Sequence, residues 1–332
     1  MTLKVAIIYN DPFTDEPNRA GEEEAIVGVL EEVFAVRDAL KELKYDWEQV
    51  ALHKPLEEAR RIMSSIRADV IFNLFEGFDD APQSEPLVAR MMEDMRIRFT
   101  GNPSHVLELT LDKARTKEVI KQHGIHTPEY QVLTPQTLDN FCLRFPCIVK
   151  PCDEDASHGL LPENVVRDRK QLARQVQRIS GEFRGYALVE EFIDGREFNA
   201  SVIGNHELEL IEISEITYML PPDLPHILTF ESKWFEGTPY YRGTGVQCPA
   251  QVSPELRQTI RDTVLASCRA VGISGYARVD MRQDTDGAIR VLEVNANPDL
   301  SPELGIALQS EKRGWSYATL IRNIIDLALE RI

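Results

Sequence analysis

What this chain of 332 residues lacks already excludes several functions. It has no basic excess: 37 lysines and arginines face 54 aspartates and glutamates, a formal net charge of −17. A broad phosphate-neutralising face needs the opposite balance, so no nucleic-acid or anionic-membrane partner is expected. No window is long and apolar enough to span a bilayer. MTLKVAIIYND (1–11) enters a strand at once, without a signal-peptide pattern, and a cytoplasmic protein is expected. Cysteine is scarce. There are five, with no CxxC, and Cys142, Cys147 and Cys152 lie five apart, which is not zinc spacing. Reduced thiols are expected. The turn after the first strand lacks GxGxxG, which argues against a dinucleotide-dependent oxidoreductase, and no Walker A sequence is present. Internal repeats and low-complexity tracts are missing too.

The length suggests two or three domains. LKVAIIYN (3–10), DWEQVAL (46–52), ADVIFNLFE (68–76) and IRFTG (97–101) read as strands. Helical patterns near 22–43, 55–66 and 85–95 alternate with them, which predicts a doubly wound parallel-sheet α/β domain. SHVLELTLDKARTKEVIKQHGI (104–125) reads as one long helix leaving that domain. Beyond it, PEYQVL, RFPCIVK, YALVEEFI and REFNASVIGN are strands with few helices between them, an α+β arrangement. Residues 214–248 are rich in Pro, Gly, Tyr and Thr with little regular pattern, and so long an irregular segment is usually functional or disordered. A helix over Pro254–Val271, a hairpin and a terminal helix from Trp315 complete the chain.

The hairpin carries the chemistry. GYARVDMRQDTDGAIRVLEVNANPDLSPE (275–303) turns at DTDG, and pairing centred there sets Arg278 opposite Glu293. Alternation puts Arg278, Asp280, Glu293 and Asn295 on one sheet face and sends Leu292 and Val294 into the core. Two carboxylates and an amide suit a hard cation such as magnesium. The alternative is a buried arginine–carboxylate pair that only holds the hairpin, although desolvation makes such a pair a poor source of stability. Lys150 ends the apolar strand PCIVK and precedes the small-residue loop PCDEDASHG; Lys113 sits in TLDKART. Glu190 and Glu197 flank the IDG turn, as cleft acids or ordinary strand ends.

In this order, TLDK, IVKP with its loop, LVEEFIDGREFNASVIG, ESKW and ARVD…LEVNANP resemble the ATP-grasp superfamily, and within it the D-alanine–D-alanine ligase family. The resemblance spans nearly the whole chain. It implies an N-terminal Rossmann-like domain (1–105), a small central ATP-grasp lobe (106–185), and a C-terminal lobe (186–332) with a metal site and a lid over 214–248. It implies ATP as cofactor, small-molecule carboxylate and amine substrates, and a homodimer formed through the first domain. Lys113, Lys150 and Ser157 would bind nucleotide, with Glu190 at the adenine hinge and Glu197 on the ribose. Lys233 would reach the γ-phosphate from the lid. Asp280, Glu293 and Asn295 would hold two magnesium ions, or manganese in their place. Arg278 would face the reacting carboxylate, and Glu22 would correspond to the family's N-terminal glutamate. The activity implied is an ATP-dependent carboxylate–amine ligase acting through an acyl phosphate.

The chain departs from the family at the amino-acid pocket. The serine of the phosphate-side loop aligns with Ala156, beside Ser157, and the lid tyrosine with Trp234. Where the ligases follow the metal asparagine with Pro-Gly-Met and later a serine, this chain reads NPDLSPEL, with Asp299 for the glycine and Leu304 for the serine. Lost hydrogen-bonding groups predict a substrate other than two D-alanines. Asp299 and the Asp153-Glu154-Asp155 run point to an amine or cationic substrate. A true D-alanine–D-alanine ligase and an inactive ATP-binding module are the alternatives.

Overall fold

Val5, Ala6, Ile7 and Ile8 are all fully buried, because β1 (Lys4–Asn10) is the middle strand of a sheet covered on both faces. A computed structural model describes residues 2–11, 22–78, 81–153, 160–183, 185–229, 232, 235 and 237–331, with backbone alone over 22–27. After β1 come α1 (Glu22–Glu42), β2 (Asp46–Leu52), α2 (Leu56–Ser65), β3 (Val70–Leu74) and α3 (Ser84–Asp94). The sheet order is β2-β1-β3, all parallel, with Ile71 adding a single parallel bridge to Phe99 where a fourth strand was expected. Val33, Val36 and Leu40 of α1 cover one face. Ala59 and Met63 of α2, with Val88 and Met92 of α3, cover the other.

The helix expected over 104–125 is two helices, α4 (Ser104–Leu111) and α5 (Lys113–Gln122). Asp112 breaks it in an extended conformation, and its side chain accepts a 3.0 Å hydrogen bond from the Arg115 N–H. This is an N-cap, the role for which a short acid outcompetes the helix interior. The Lys113 N–H then leaves the helical ladder and donates to the Cys152 carbonyl at 3.0 Å. The break thus fixes Lys113 against the chain just beyond Lys150.

Two antiparallel sheets follow. β4 (Tyr130–Leu133), β5 (Cys147–Pro151), β6 (Val165–Val166), α6 (Arg169–Glu182) and β7 (Ala187–Glu191) build the first, in order β4-β7-β5-β6. Leu172, Val176 and Ile179 of α6 pack on it. β8 (Glu197–Gly204), β9 (Glu209–Tyr218), α7 (Pro239–Gly243), β10 (Thr244–Gln247), α8 (Pro254–Val271), β11 (Gly275–Gln283) and β12 (Ile289–Ala296) build the second. Its order is β10-β9-β8-β11-β12. Residues 214–248 are therefore less irregular than expected: β9 runs on to Tyr218, and β10 returns along it with Thr244 opposite Tyr218. Ile260, Val264 and Cys268 of α8 seal one face of this sheet against Val279, Val291 and Val294. The opposite face is left for the cleft. After α9 (Gly305–Lys312), α10 (Tyr317–Glu330) returns Ile321, Ile324 and Ile325 to the first core beside α1.

Removing the cap at the helix break, Asp112→Ala, is expected to lower the unfolding free energy by about 1 kcal/mol in urea denaturation.

Candidate active site

β11 and β12 pair so that Arg278 faces Asn295 and Asp280 faces Glu293. This corrects the turn-centred register, which set Arg278 opposite Glu293. The partner moves by two residues, for two reasons: the turn takes one residue more than the centred pairing allows, so that Gln283 faces Ile289, and an irregularity between Asp280 and Met281 adds another, with Met281 paired to Val291 and Leu292 left over. Leu292 therefore leaves the expected core position and lines the cleft, whereas Val294 stays in the core. The four polar side chains still share one face, and all four line the cleft.

Arg278 forks onto Asp280, with Nε to Oδ1 and Nη2 to Oδ2 both at 2.8 Å. Such bidentate pairs fix both groups in orientation. Burial opposes the arginine's charge, but Asp280 more than offsets it and raises its pKa. Burial, with the charge of Glu293 added, raises the Asp280 carboxyl despite Arg278. Glu293 is opposite in sign: burial works against its charge, yet Lys113, Lys150 and Arg278 hold its carboxyl well below the ordinary range. Its Oε2 lies 3.3 Å from Lys113 Nζ. The Asn295 amide donates to Asp280 Oδ2 at 3.0 Å.

This oxygen set fits magnesium. Adjacent strands present two carboxylates, a number magnesium commonly takes from protein while keeping waters and phosphates for the rest of its shell. Among the described residues no group of three His, Cys, Asp or Glu side chains suits a metal, so a site here needs Asn295 and non-protein ligands. Asn295 has its NH2 end towards Asp280, and its carbonyl oxygen would have to take that place to ligate.

Glu190, at 1% exposure, lies between two lysines: Lys117 Nζ is 2.5 Å from its Oε1 and Lys150 Nζ 2.6 Å from its Oε2. Burial works against its charge, but the two lysines win and hold its carboxyl below the ordinary range. Lys117 was missed by sequence reasoning. Burial lowers its pKa to about 8 even with Glu190 beside it. The usable signal was its i,i+4 spacing from Lys113, which puts both lysines on one helix face. Glu197 accepts from Tyr218 Oη at 2.7 Å and from Arg282 Nε at 3.0 Å, all on Oε2, leaving Oε1 without a donor among the described residues. Arg282 was also missed, although alternation from Arg278 and Asp280 puts it on the same face. Ser157 and Lys233, with Ala156, His158 and Trp234, lie outside the described residues, as does the Glu22 side chain.

With this geometry in place, the comparisons are specific. A family model described as D-ala D-ala ligase C-terminus matches residues 119–326. The uncharacterised protein y4sG of Sinorhizobium fredii is 30% identical, covering 99% of this chain and 98% of its own. The chain belongs to the D-alanine–D-alanine ligase family. The D-alanine–D-alanine ligase of Rhizorhabdus wittichii is 28% identical over 89% of each chain. The ATP complex of the Bacillus anthracis D-alanine–D-alanine ligase shares the fold at TM-score 0.76, with 20% identity over 99% of this chain and 97% of its own. The VanG D-Ala:D-Ser ligase from Enterococcus faecalis does so at TM-score 0.76 and 18% identity, over 99% and 100%. The architecture is ATP-grasp, and ligases of this family use ATP and magnesium. Among the described residues no helix is long and apolar enough to cross a membrane.

One acid of this ligase-family chain gave no sequence signal. Glu32 on α1 is buried and accepts a 2.7 Å hydrogen bond from the Leu300 N–H, in the loop after β12. Burial, then the charges of Asp299 and Glu76, push its carboxyl well above the ordinary range. The folded state therefore holds a proton that the unfolded chain releases, so this group's contribution to stability falls as pH rises from the ordinary glutamate range through the raised value. Glu32→Gln keeps an acceptor for Leu300 and removes the charge. Its urea midpoint is expected to exceed wild type at neutral pH and to vary less between about pH 5 and 8.

Proposed function

We propose that the protein joins a carboxylate to an amine with hydrolysis of ATP to ADP and phosphate, on substrates other than two D-alanines. Family membership supports the reaction class, and one observation carries it to this cleft. Lys113, Lys150, Arg278, Asp280, Glu293 and Asn295, drawn from α5, β5, β11 and β12, line a single cavity. The domain division at about 105 and 185 belongs to the same proposal, as does the lid expected over 214–248, now limited to the stretch between β9 and β10.

A carboxylate is a poor electrophile, because its charge is delocalised and repels nucleophiles. Transfer of the γ-phosphoryl group to it gives an acyl phosphate, which an amine attacks to form the amide and release phosphate. Lys113 and Lys150 would hold the phosphates, and Arg278 would stabilise charge on the acyl oxygen as the amine attacks. Asp280, Glu293 and Asn295 would hold magnesium, which supplies charge neutralisation across the phosphates when bound. A closed lid would keep water from the acyl phosphate, with Lys233 carried on it.

The departures at the pocket support a different substrate. Leu304, at the family's serine position, is an exposed apolar side chain that offers no hydrogen bond. Asp299 adds a carboxylate close enough to act on both Arg278 and Glu32. Asp299 and Glu76, the two charges that act on Glu32, disfavour a free carboxylate there and favour a cationic amine. The named ligase relatives favour the second reading, a true D-alanine–D-alanine ligase.

A phosphate-release screen with ATP, magnesium and paired carboxylates and amines is the test. Release with a cationic amine acceptor and none with D-alanine alone is expected, and release specific to D-alanine establishes the second reading. ATP binding without release across the panel would establish an inactive module. Asp280→Asn is expected to lower the rate of the active pair by about 10²-fold or more, the loss of several kcal/mol of charge stabilisation.

A further inference from the structure

Lys117 is buried to 1% exposure, yet it cannot reach a nucleotide. Its ammonium is enclosed by three oxygens: Glu190 Oε1 in an ion pair at 2.5 Å, and Thr127 Oγ1 at 2.9 Å and the Leu292 carbonyl at 2.7 Å, which both accept hydrogen bonds. Lys150 differs. It lines the cleft, and among the described residues its one partner is Glu190 Oε2, in an ion pair at 2.6 Å. Two of its N–H donors remain for another partner. The charges around it nearly cancel: Lys113 is paired with Glu293, and Arg278 with Asp280. Of the groups so connected, the cations Lys113, Lys117, Lys150 and Arg278 outnumber the carboxylates Glu190, Asp280 and Glu293 by one. Without Lys117 the excess is gone, and Lys150 becomes the sole counter-ion of a buried carboxylate.

We propose that Lys117 is a positioning residue, the internal counter-ion of Glu190 that leaves the charge of Lys150 for a nucleotide phosphate. The inference rests on the reading of this cleft as an ATP site. It separates two lysines that the sequence does not distinguish: one neutralises inward, the other acts outward. A lysine that only braced the fold would alter stability and not the preference for a phosphorylated ligand.

The test is calorimetric binding of ATP with magnesium, and of adenosine, to the intact chain. Lys117→Met is expected to weaken ATP by about tenfold or more while adenosine stays within about twofold. In an E190Q background, where no buried carboxylate needs neutralising, the same change at Lys117 is expected to alter ATP affinity by less than about threefold. Wild-type ATP affinity in K117M, an equal loss for ATP and adenosine, or an undiminished loss in the E190Q background would each overturn the inference. Should K117M not fold, judged by circular dichroism, the comparison of E190Q with K117M/E190Q decides alone: under about threefold supports it, about tenfold or more overturns it. A wild-type protein that binds adenosine and ATP equally, or neither, overturns the ATP reading of the cleft, and this inference with it.

Discussion

A carboxylate sealed between two ammonium groups ties the cleft face together. Glu190 belongs to the four-stranded sheet, and Lys117, which holds it, also bonds the Leu292 carbonyl on β12 of the five-stranded sheet. Thr127 extends the joint by donating to the Val291 carbonyl at 2.8 Å. Taking three charges out of water is unfavourable, and their mutual attraction repays it only when each is well placed. Removing one member of such a cluster typically costs about 3–5 kcal/mol, so the junction is selective about its geometry even where it adds little net stability. The interaction that sets how the two antiparallel sheets meet also sets the charge presented to the cleft between them.

A formal charge of −17, taken as a whole, would repel a triphosphate. The difficulty is one of range. At physiological ionic strength the Debye length is about 8 Å, so acids scattered over the surface are largely screened from the cleft, while buried pairs are screened far less. What a phosphate placed in this cleft would meet is the local set of lysines and arginine with their partners. The strong depression of the Glu293 pKa reports the same local excess of positive charge, since Lys113, Lys150 and Arg278 together overcome the burial that opposes its ionisation.

Much of this was legible in the sequence because it depends on alternation. Period-two patterning is enough to put Arg278, Asp280, Glu293 and Asn295 on one face, and that survives the two-residue register error, because the bulge adds a second residue to the one the longer turn had already added. The bulge itself was not legible: nothing in RVLEVNA marks Leu292 as the residue left over. The parallel sheet was readable from its uninterrupted apolar strands. The break at Asp112 was harder to read, since the pattern on either side is helical: the cap on the Arg115 amide is local, but the Cys152 carbonyl that takes the Lys113 N–H is distant in sequence. Lys117 was hidden for a related reason. A lysine on an amphipathic helix reads as solvated until a partner from another sheet is known. β9 and β10 were hidden by composition, their glutamates, serine and threonines masking a strand pair that closes the edge of the sheet.

The division of labour within the cleft follows from which parts of the fold are rigid. The groups suited to ATP and metal sit on β5, β7, β11 and β12, or on a capped helix, where ladder hydrogen bonds fix their backbones. Asp299 and Leu304, the groups proposed to discriminate substrates, sit in the loop that follows β12. That loop is held at its root by Asn297, whose left-handed backbone (φ 56°) presents Oδ1 to the Asn102 N–H at 2.7 Å. Gly101 makes room for it, because a Cβ there would lie 2.4 Å from the same oxygen. Further on, the Leu300 N–H is fixed by Glu32. A loop pinned at two points can exchange side chains between them without disturbing the strand that carries Glu293 and Asn295. Such a loop lets an acid stand at position 299 between the pins, and a leucine at 304 beyond them, while the strand face that carries Glu293 and Asn295 is unchanged.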